Sequence, residues 1–415
     1  MKPHILIVGA GIGGLTTALS LHKAGFTVDI YESAREVKPL GVGINLLPHA
    51  VRVLTELGLQ DKLANVAVET RELAYHNRHG QRIWEEPRGR HAGYHWPQFS
   101  IHRGVFQLIL LEQVRRKIGD KHIHTGMTLA SVEIGNGAVT ARFVDRNTGQ
   151  EHVVAKVDGL IGADGIHSVV RKQFFSDEGI PKFSGIMLHR GTTYAKPFLT
   201  GSSMIMAGSA RQKFVAYPIS QVDTISGLQV INWIADLQVD QEDNIPVRDW
   251  NRRADKGKLL EAFQGWTFDW LDAPALIDGA EYIYEFPMSD RDPLPWWTKG
   301  PVTLLGDAAH PMYPIGSNGA SQAILDAECI ARCLSDHGEP EIAFKAYESI
   351  RLPATSAIVT LNRKMGPEQV MQIAEDRAPD GFTKIHDVIP REELESIAAR
   401  YKEIAGFDRE SLNKA

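Results

Sequence analysis

Three glycines near the amino terminus are spaced as a phosphate-binding turn requires. Gly9, Gly11 and Gly14 follow an apolar run, Ile5 to Val8, and precede residues with helical apolar spacing. In such a turn the first glycine allows the tight bend, the second lets a pyrophosphate approach the backbone, and the third lets helix and strand pack closely. The helix amino terminus then presents unpaired N–H groups to the phosphates. The pattern predicts a dinucleotide site but does not separate NAD from FAD.

A carboxylate stands at the end of the second predicted strand, Thr27 to Glu32. At that position Glu32 can accept hydrogen bonds from ribose hydroxyls, and it disfavours a 2′-phosphate. Strand, glycine turn, helix and second strand together form a βαβ unit. A glycine-rich turn without a ligand explains this combination less well than a dinucleotide site does.

Two aspartates follow two further predicted strands. Asp164 lies in the segment GADG, which by itself is predicted to be a turn that caps a helix. Asp307 follows the apolar run TLLG. Beyond it, Pro314 shapes a loop, and Gly319 and Ala320 open a predicted helix whose free N–H groups can hold an anion. A capped helix with no ligand is the alternative for each motif taken alone.

Composition limits the other possibilities. The chain has 415 residues, is 43% hydrophobic and carries a net charge of −6, which suits a large core, about two domains, and no nucleic-acid partner. Its two cysteines, Cys329 and Cys333, favour a reducing cytoplasm over a disulfide framework, and no metal site is expected. No apolar stretch is long enough for a transmembrane segment.

The order of strand-like and helix-like segments along the chain predicts an α/β fold of three parts. A Rossmann-like FAD-binding domain of the GR2 type is predicted from three separate segments, 1–72, 98–180 and 288–350. A mostly antiparallel sheet for the substrate, 73–97 and 181–287, is inserted into it, because strand-like runs there lack alternating helices. Helices are expected over 351–415, with breaks at Pro353, at Gly366–Pro367 and at Pro379–Gly381.

The order and spacing of the three motifs resemble the class A flavoprotein monooxygenases, the para-hydroxybenzoate hydroxylase-like family. The resemblance covers most of the chain and leaves the last helices outside. It implies that FAD is the cofactor and that the following residues bind it: Gly9, Gly11, Gly14, Glu32, Arg103, Gln107, Asp164, Asp307, Gly319 and Ala320. In the family the second motif also serves NAD(P)H use, and the third motif's aspartate binds the ribitol.

The resemblance also implies the reaction. NADH or NADPH reduces FAD, O₂ then gives a C4a-hydroperoxide, and the oxygen is transferred to a small aromatic substrate. No catalytic side chain is certain, because the flavin does the chemistry beside the backbone of Pro314, Gly319 and Ala320. The wording SNGASQ, Ser317 to Gln322, and the segment Pro39 to Val51 are most similar to the phenazine hydroxylases. They imply a phenazine-carboxylate-like substrate, hydroxylated with or without decarboxylation.

Other assignments stay open at this point. The substrate is alternatively a quinolone, a tetracycline or a simple aromatic acid, and a flavin reductase or dehydrogenase is a second class of function. A disulfide reductase and a halogenase are disfavoured, because their motifs are not found in the sequence. Six residues on the predicted strands of the inserted sheet are candidates for substrate contact, with ordinary sheet packing as the alternative: His189, Arg190, Met204, Tyr217, Trp233 and Met288. A cytoplasmic monomer or homodimer is expected.

Overall fold

The computed structural model describes residues 2–39, 41–135, 137–239 and 252–414. The strands are β1 His4–Val8, β2 Thr27–Glu32, β3 Gly43–Leu46, β4 Val68–Glu69, β5 Glu72–His76, β6 Arg82–Pro87, β7 Phe99–His102, β8 Ile123–Thr125, β9 Met127–Gly135, β10 Ala138–Asp145, β11 Glu151–Val157, β12 Gly159–Gly162, β13 Lys182–Ala195, β14 Ser203–Gly208, β15 Gln212–Pro218, β16 Gln229–Gln238, β17 Thr267–Phe268, β18 Leu271–Asp272, β19 Ile283–Asp290 and β20 Val302–Leu304. The helices are α1 Ile12–Lys23, α2 Pro48–Glu56, α3 Gln60–Ala64, α4 Arg103–Lys117, α5 Val169–Phe174, α6 Lys256–Phe263, α7 Ala273–Asp278, α8 Gly319–His337, α9 Pro340–Asn362, α10 Gln369–Arg377, α11 Arg391–Ile404 and α12 Arg409–Lys414.

A parallel sheet joins strands from three distant parts of the chain. Its order is β20-β12-β1-β2-β8, and every pairing in it is parallel. The central run Ile5–Val8 is buried, as expected for a strand covered on both faces. Because the strands are parallel, the carboxyl ends of β1, β2, β12 and β20 lie at one edge, where ligands bind in open α/β sheets. This confirms the predicted Rossmann-like architecture.

A second, larger sheet has the order β19-β13-β16-β15-β14-β5-β6. Its pairings are antiparallel except that β14 and β5 run parallel, which agrees with the predicted mostly antiparallel sheet. Side chains alternate between two packed faces, as the period of a strand requires. Ile205 and Ala207 pack on the side of α6 and α7, whereas Met204 and Met206 pack on the side of α10 and α11. We call the latter the inner face.

The carboxyl-terminal region is helical, as predicted, but one expected break is wrong. Helix α9 runs through Pro353. The missing proline N–H costs one backbone hydrogen bond, but buried Tyr347 and Ile358 hold the helix on both sides of the proline. The expected break at Gly366–Pro367 does separate α9 from α10.

Candidate functional site

The glycine turn lies at the carboxyl end of β1. Gly9 has φ +104°, and a Cβ there would lie 2.4 Å from the carbonyl oxygen of Ala163. At Gly14 a Cβ would lie 2.0 Å from the carbonyl oxygen of Gly9. At Gly11, in contrast, a Cβ would meet no atom within 4 Å. Two of the glycines are therefore required by the fold itself, and the middle one leaves its backbone open to a ligand.

Glu32 binds the backbone of this turn. Its Oε2 accepts the N–H of Ala10 at 2.7 Å, and its Oε1 accepts the N–H of Ala34 at 2.7 Å. The side chain of Gln107, on α4, donates to the carbonyl oxygen of Ala10 at 2.8 Å. Arg103 lies one turn earlier at the start of α4, with its side chain exposed. Glu32 and Gln107 are thus brought together at the glycine turn through Ala10, and Gln107 contacts the protein backbone there.

The two aspartates stand at the ends of β12 and β20, at the same edge of the sheet. Asp164 Oδ2 accepts the N–H of Val169 at 2.7 Å, whereas its buried Oδ1 has no partner in the described residues. Burial raises the pKa of this carboxyl. Asp307 is exposed, and no hydrogen bond joins its carboxylate to the described parts of the chain. Asp164 therefore caps the turn before α5, whereas Asp307 keeps its hydrogen-bonding capacity free.

A buried charge network supports the strand end that carries Asp307. Asp326, on α8, accepts the N–H of Gly306 at 3.1 Å and lies 2.6 Å from His310 Nε2 and 2.7 Å from Arg351 Nε. Burial opposes ionisation of Asp326, but the neighbouring charges of His310 and Arg351 outweigh it and hold its pKa at about 2. Asp326 belongs to the third motif, but the sequence pattern predicted no role for it, and none for Arg351.

The loop from Tyr313 to Ala320 is held by the carboxyl-terminal region. Asn362 Nδ2 donates to the carbonyl of Tyr313 at 3.1 Å, and the Tyr401 hydroxyl donates to that of Ile315 at 3.3 Å. Glu368 Oε1 accepts the N–H of Gly316 at 3.3 Å. None of these contacts had a signal in the sequence, because each joins positions far apart in the chain.

Within this loop the positions that sequence reasoning selected remain accessible. Pro314 is exposed, and Ala320 is partly exposed in the first turn of α8. A Cβ at Gly319 would meet no atom within 4 Å. The amino terminus of a 19-residue helix therefore faces open space beside the glycine turn's sheet edge.

The six candidate substrate residues divide between the two faces of the larger sheet. Tyr217 and Met204 lie on the inner face. Alternation along β13 and β19 places Arg190 and Met288 on that same face, since Arg190 pairs with Ile234 and Tyr284.

The other two candidates lie on the opposite face. Trp233 is buried against α6, and its Nε1 donates to Thr193 Oγ1 at 3.1 Å. His189 Nδ1 lies 3.0 Å from the carbonyl oxygen of Ala235, and its Nε2 lies 3.7 Å from Glu285. Trp233 and His189 therefore do not share a face with the other four candidates.

Arg190 is a cation on the inner face of the larger sheet. No carboxylate of the described residues lies within salt-bridge distance of it, and its Nε is buried without a hydrogen-bond partner. Its guanidinium lies 5.8 Å from the ring centre of Phe286. Burial lowers its pKa, and the neighbouring Tyr217 and Asp236 oppose that shift. An anion placed here would gain a charge-assisted hydrogen bond.

A profile of the FAD binding domain family matches residues 2–242 and 283–362. The chain belongs to this family. It is 43% identical over 364 residues to phenazine 1,6-dicarboxylic acid hydroxylase PhzS of Lysobacter antibioticus, covering 87% of this chain and 89% of that protein. It is 30% identical to 6-hydroxynicotinate 3-monooxygenase of Pseudomonas fluorescens, covering 86% and 89%.

Solved structures with the same fold include HpxO of Klebsiella pneumoniae in complex with FAD and uric acid. It is 20% identical, with a TM-score of 0.76, and covers 98% of this chain and 96% of that one. A salicylate hydroxylase substrate complex is 21% identical, with a TM-score of 0.75, and covers 100% and 97%. The protein is an FAD-dependent aromatic monooxygenase, with NADH or NADPH as reductant and O₂ as co-substrate.

The residues at the sheet edge fit an FAD. Gly11 and Gly319 leave the backbone open to a ligand, and the Asp307 carboxylate accepts no hydrogen bond from the described residues.

Within the part of the chain that the structure describes, no helix has the length and apolarity to cross a membrane.

Proposed function

We propose that this monooxygenase hydroxylates a polycyclic aromatic carboxylic acid of the phenazine class. The observation that carries the proposal is the 43% identity to a phenazine dicarboxylic acid hydroxylase over 87% of the chain. Arg190 on the inner face supports it, because no carboxylate of the described residues lies within salt-bridge distance of this cation. Quinolones, tetracyclines and simple aromatic acids are the alternative substrates of the same reaction.

We assign the cofactor contacts as follows. Gly9, Gly11 and Gly14 with the start of α1 bind the pyrophosphate, Glu32 the adenosine ribose, and Asp307 the ribitol. Arg103 lies near the phosphates, and Asp164 near the pyrophosphate. Gln107 acts through the turn, because its amide donates to Ala10. When bound and reduced by NADH or NADPH, FAD would supply the electrons that activate O₂, so that one oxygen atom goes to the substrate and the other leaves as water.

The chain's own residues orient the reactants and exclude water. The N–H groups of Gly319 and Ala320 at the start of α8 stabilise negative charge on the reduced ring, with no side chain between them. Pro314 borders the same space. Met204, Tyr217 and Met288 supply an apolar wall for an aromatic ring, and Arg190 supplies positive charge beside it.

We propose domain boundaries that match these roles. Residues 1–72, 98–180 and 288–350 form the FAD-binding domain, 73–97 and 181–287 the substrate domain, and 351–415 a helical cover. Two free, buried cysteines support action in the reducing cytoplasm. A monomer or a homodimer is expected.

The test is a screen of NADH and NADPH oxidation with candidate aromatics, phenazine carboxylates included, followed by product analysis under ¹⁸O₂. The proposal predicts faster oxidation with a phenazine carboxylate and one labelled oxygen in the product. Stimulated oxidation without label in the product would instead support a reductase. Label in the product of another aromatic only would replace the substrate class and keep the reaction.

A further inference from the structure

Asn232, on β16, joins the larger sheet to strand β3. Its Oδ1 accepts the backbone N–H of Gly43, the first residue of β3, at 2.6 Å. The side chain is fully buried, with 0% exposure. A Cβ at Gly43 would lie 2.8 Å from both Cβ and Cγ of Asn232, so β3 approaches the amide as closely as a residue without a side chain allows. One side chain of the larger sheet therefore fixes the position of β3.

Strand β3 borders both helix ends that are proposed to face the flavin. Immediately before it, the carbonyl of Val42 accepts the N–H of Arg103, at the start of α4, at 2.9 Å. Immediately after it, the N–H of Leu47 donates to the hydroxyl of Ser321, in the first turn of α8, at 3.2 Å. The amide contact at the start of β3 therefore links the larger sheet to the cofactor side of the molecule.

The contact with Gly43 also decides which way the amide of Asn232 points. A backbone N–H needs an acceptor, and the only acceptor of a side-chain amide is its oxygen. The nitrogen Nδ2 is therefore directed away from Gly43. It is buried and has no hydrogen-bond partner in the described residues. A buried donor without an acceptor loses its hydration and gains nothing in return, which indicates that a ligand supplies the acceptor.

Alternation places Asn232 on the inner face, among the residues proposed to contact the substrate. Val230 and Ile234, two positions before and after it on β16, pack on that face. Tyr217 lies directly opposite Asn232 on β15, and Arg190 lies diagonally opposite on β13. Side chains at such positions of neighbouring strands are close enough to contact one ligand.

We propose that Nδ2 of Asn232 donates a hydrogen bond to a neutral acceptor atom of the aromatic substrate, a ring nitrogen or a carbonyl oxygen. The positive charge of Arg190 suits an anionic group, whereas an uncharged amide donor selects for an acceptor in the ring system. Since Oδ1 of the same side chain holds β3, the amide also positions the ring relative to the flavin side. This inference rests on the proposed function for the substrate class and deepens it. The sequence predicted no role for Asn232.

The test compares ligands that have the same shape and differ in the ring acceptor. Phenazine-1-carboxylate and anthracene-1-carboxylate share the tricycle and the carboxylate, but only the first has ring nitrogens. Quinoline-2-carboxylate and 2-naphthoate form a second, smaller pair. Equilibrium binding to protein saturated with FAD is measured through the change in flavin absorbance. The wild type is expected to bind phenazine-1-carboxylate about tenfold more tightly than its carbocyclic partner.

Two substitutions separate the oxygen of the amide from its nitrogen. Asn232→Asp keeps an oxygen for the Gly43 N–H and removes the donor, so the preference for ring nitrogens should fall about tenfold while FAD affinity stays unchanged. The added negative charge acts equally on both members of a pair, because both carry the carboxylate. Asn232→Leu has a similar size and removes both contacts, so it should lose the same preference and also bind FAD more weakly. Asn65→Asp, the same chemical change at an exposed position, is the control.

Two results would overturn the assignment. One is a preference for ring nitrogens that is equal in the wild type, Asn232→Asp and Asn232→Leu, with weaker FAD binding by Asn232→Asp showing in addition that the donor serves the flavin. The other is a wild type that binds both members of every pair equally.

This inference and the proposed function fail separately. A preference for quinoline-2-carboxylate that depends on Asn232, in a protein that binds no phenazine, supports the amide contact and refutes the phenazine class. Labelled phenazine product from an enzyme whose ligand preference ignores both substitutions refutes the amide contact and leaves the proposed function standing.

Discussion

Lys213 Nζ lies 2.5 Å from Glu368 Oε2, which ties the inner face of the larger sheet to the segment between α9 and α10. The other oxygen of Glu368 accepts the N–H of Gly316. Sheet and flavin-side loop are thereby connected through one buried carboxylate. Asp236, 2.9 Å from the same ammonium, completes the group.

Replacing Lys213 by Met should destabilise the fold by about 3–5 kcal/mol, because Asp236 and Glu368 would be left buried without their cation. Urea unfolding at neutral pH measures the loss. Lys258→Met, on an exposed position of α6, is the control and should change stability by less than about 0.5 kcal/mol. Similar midpoints for the two variants would contradict the role of the buried group.

Two substitutions in the glycine turn are expected to affect different properties, one the binding of FAD and the other the folding of the domain. Gly11→Ala should fold with unchanged apoprotein stability, since its Cβ enters open space, yet bind FAD at least about tenfold more weakly because that Cβ blocks the pyrophosphate. Gly14→Ala should unfold the domain, because its Cβ would overlap the carbonyl oxygen of Gly9. Thermal unfolding without FAD and a flavin titration give the two readouts. Tight FAD binding by a folded Gly11→Ala would exclude the proposed contact.

Asp307→Ala should lower FAD affinity by about tenfold to a hundredfold, which corresponds to loss of a charged hydrogen bond of about 1.5–3 kcal/mol. The stability of the apoprotein should not fall, since the carboxylate has no partner in the described residues. Flavin content after gel filtration measures retention. Asp387→Ala, on an exposed position, serves as the comparison. Full flavin occupancy of the Asp307 variant would remove this residue from the site.

Asp326→Asn should destabilise the protein by about 3–5 kcal/mol, because Arg351 would keep a buried charge without its counter-ion, with only neutral Gln322 left as a hydrogen-bond partner. In the wild type the lowered pKa means that ionised Asp326 stabilises the fold above about pH 3.8, and this contribution is lost as the pH falls through about 2. Chemical denaturation of both proteins at neutral pH gives the difference. A loss below about 1 kcal/mol would show that Arg351 finds another partner.

A histidine cluster at the other end of the parallel sheet should make stability fall at alkaline pH. His4 Nε2 lies 2.6 Å from Asp29, and this hydrogen bond, opposed by burial, raises the pKa of His4 above 6.5. Protonated His4 therefore stabilises the fold fully below pH 6.5, and the contribution disappears as the pH rises through the raised value.

We expect His4→Gln to reduce the free energy of unfolding more at about pH 5.5 than at about pH 9. His122 lies 2.9 Å from the same carboxylate and remains in the variant, so the difference is partial. His22→Gln, exposed on α1, should show no such dependence. An effect of His4→Gln that is equal at the two pH values would mean that protonated His4 does not stabilise the fold.

Local patterns were sufficient to predict the parallel sheet and its glycine turn. Apolar runs, period-two alternation and glycine spacing are all patterns of residues close together in the sequence. They were therefore sufficient to predict β1, α1 and β2. Alternation also implies that the adjacent residues His189 and Arg190 cannot share a face of the sheet. The sequence does not show which face of the larger sheet packs against α10 and α11, because that packing joins residues far apart in the chain.

The contacts that hold the loop at Ile315–Gly316 could not be predicted. Glu368 and Tyr401 lie about 50 and 85 positions further along the chain, and their residue types are ordinary for a helical region.

The parallel sheet needs β20 beside β12, and β20 begins only at Val302. During synthesis on the ribosome, the strand that leads to Asp307 therefore emerges well after β1 and β12, and Tyr401, which fixes the following loop, emerges later still. A nascent chain lacks the side of the flavin site at Asp307 and Gly319 until these segments have been made. Stable flavin binding is therefore expected to follow their synthesis.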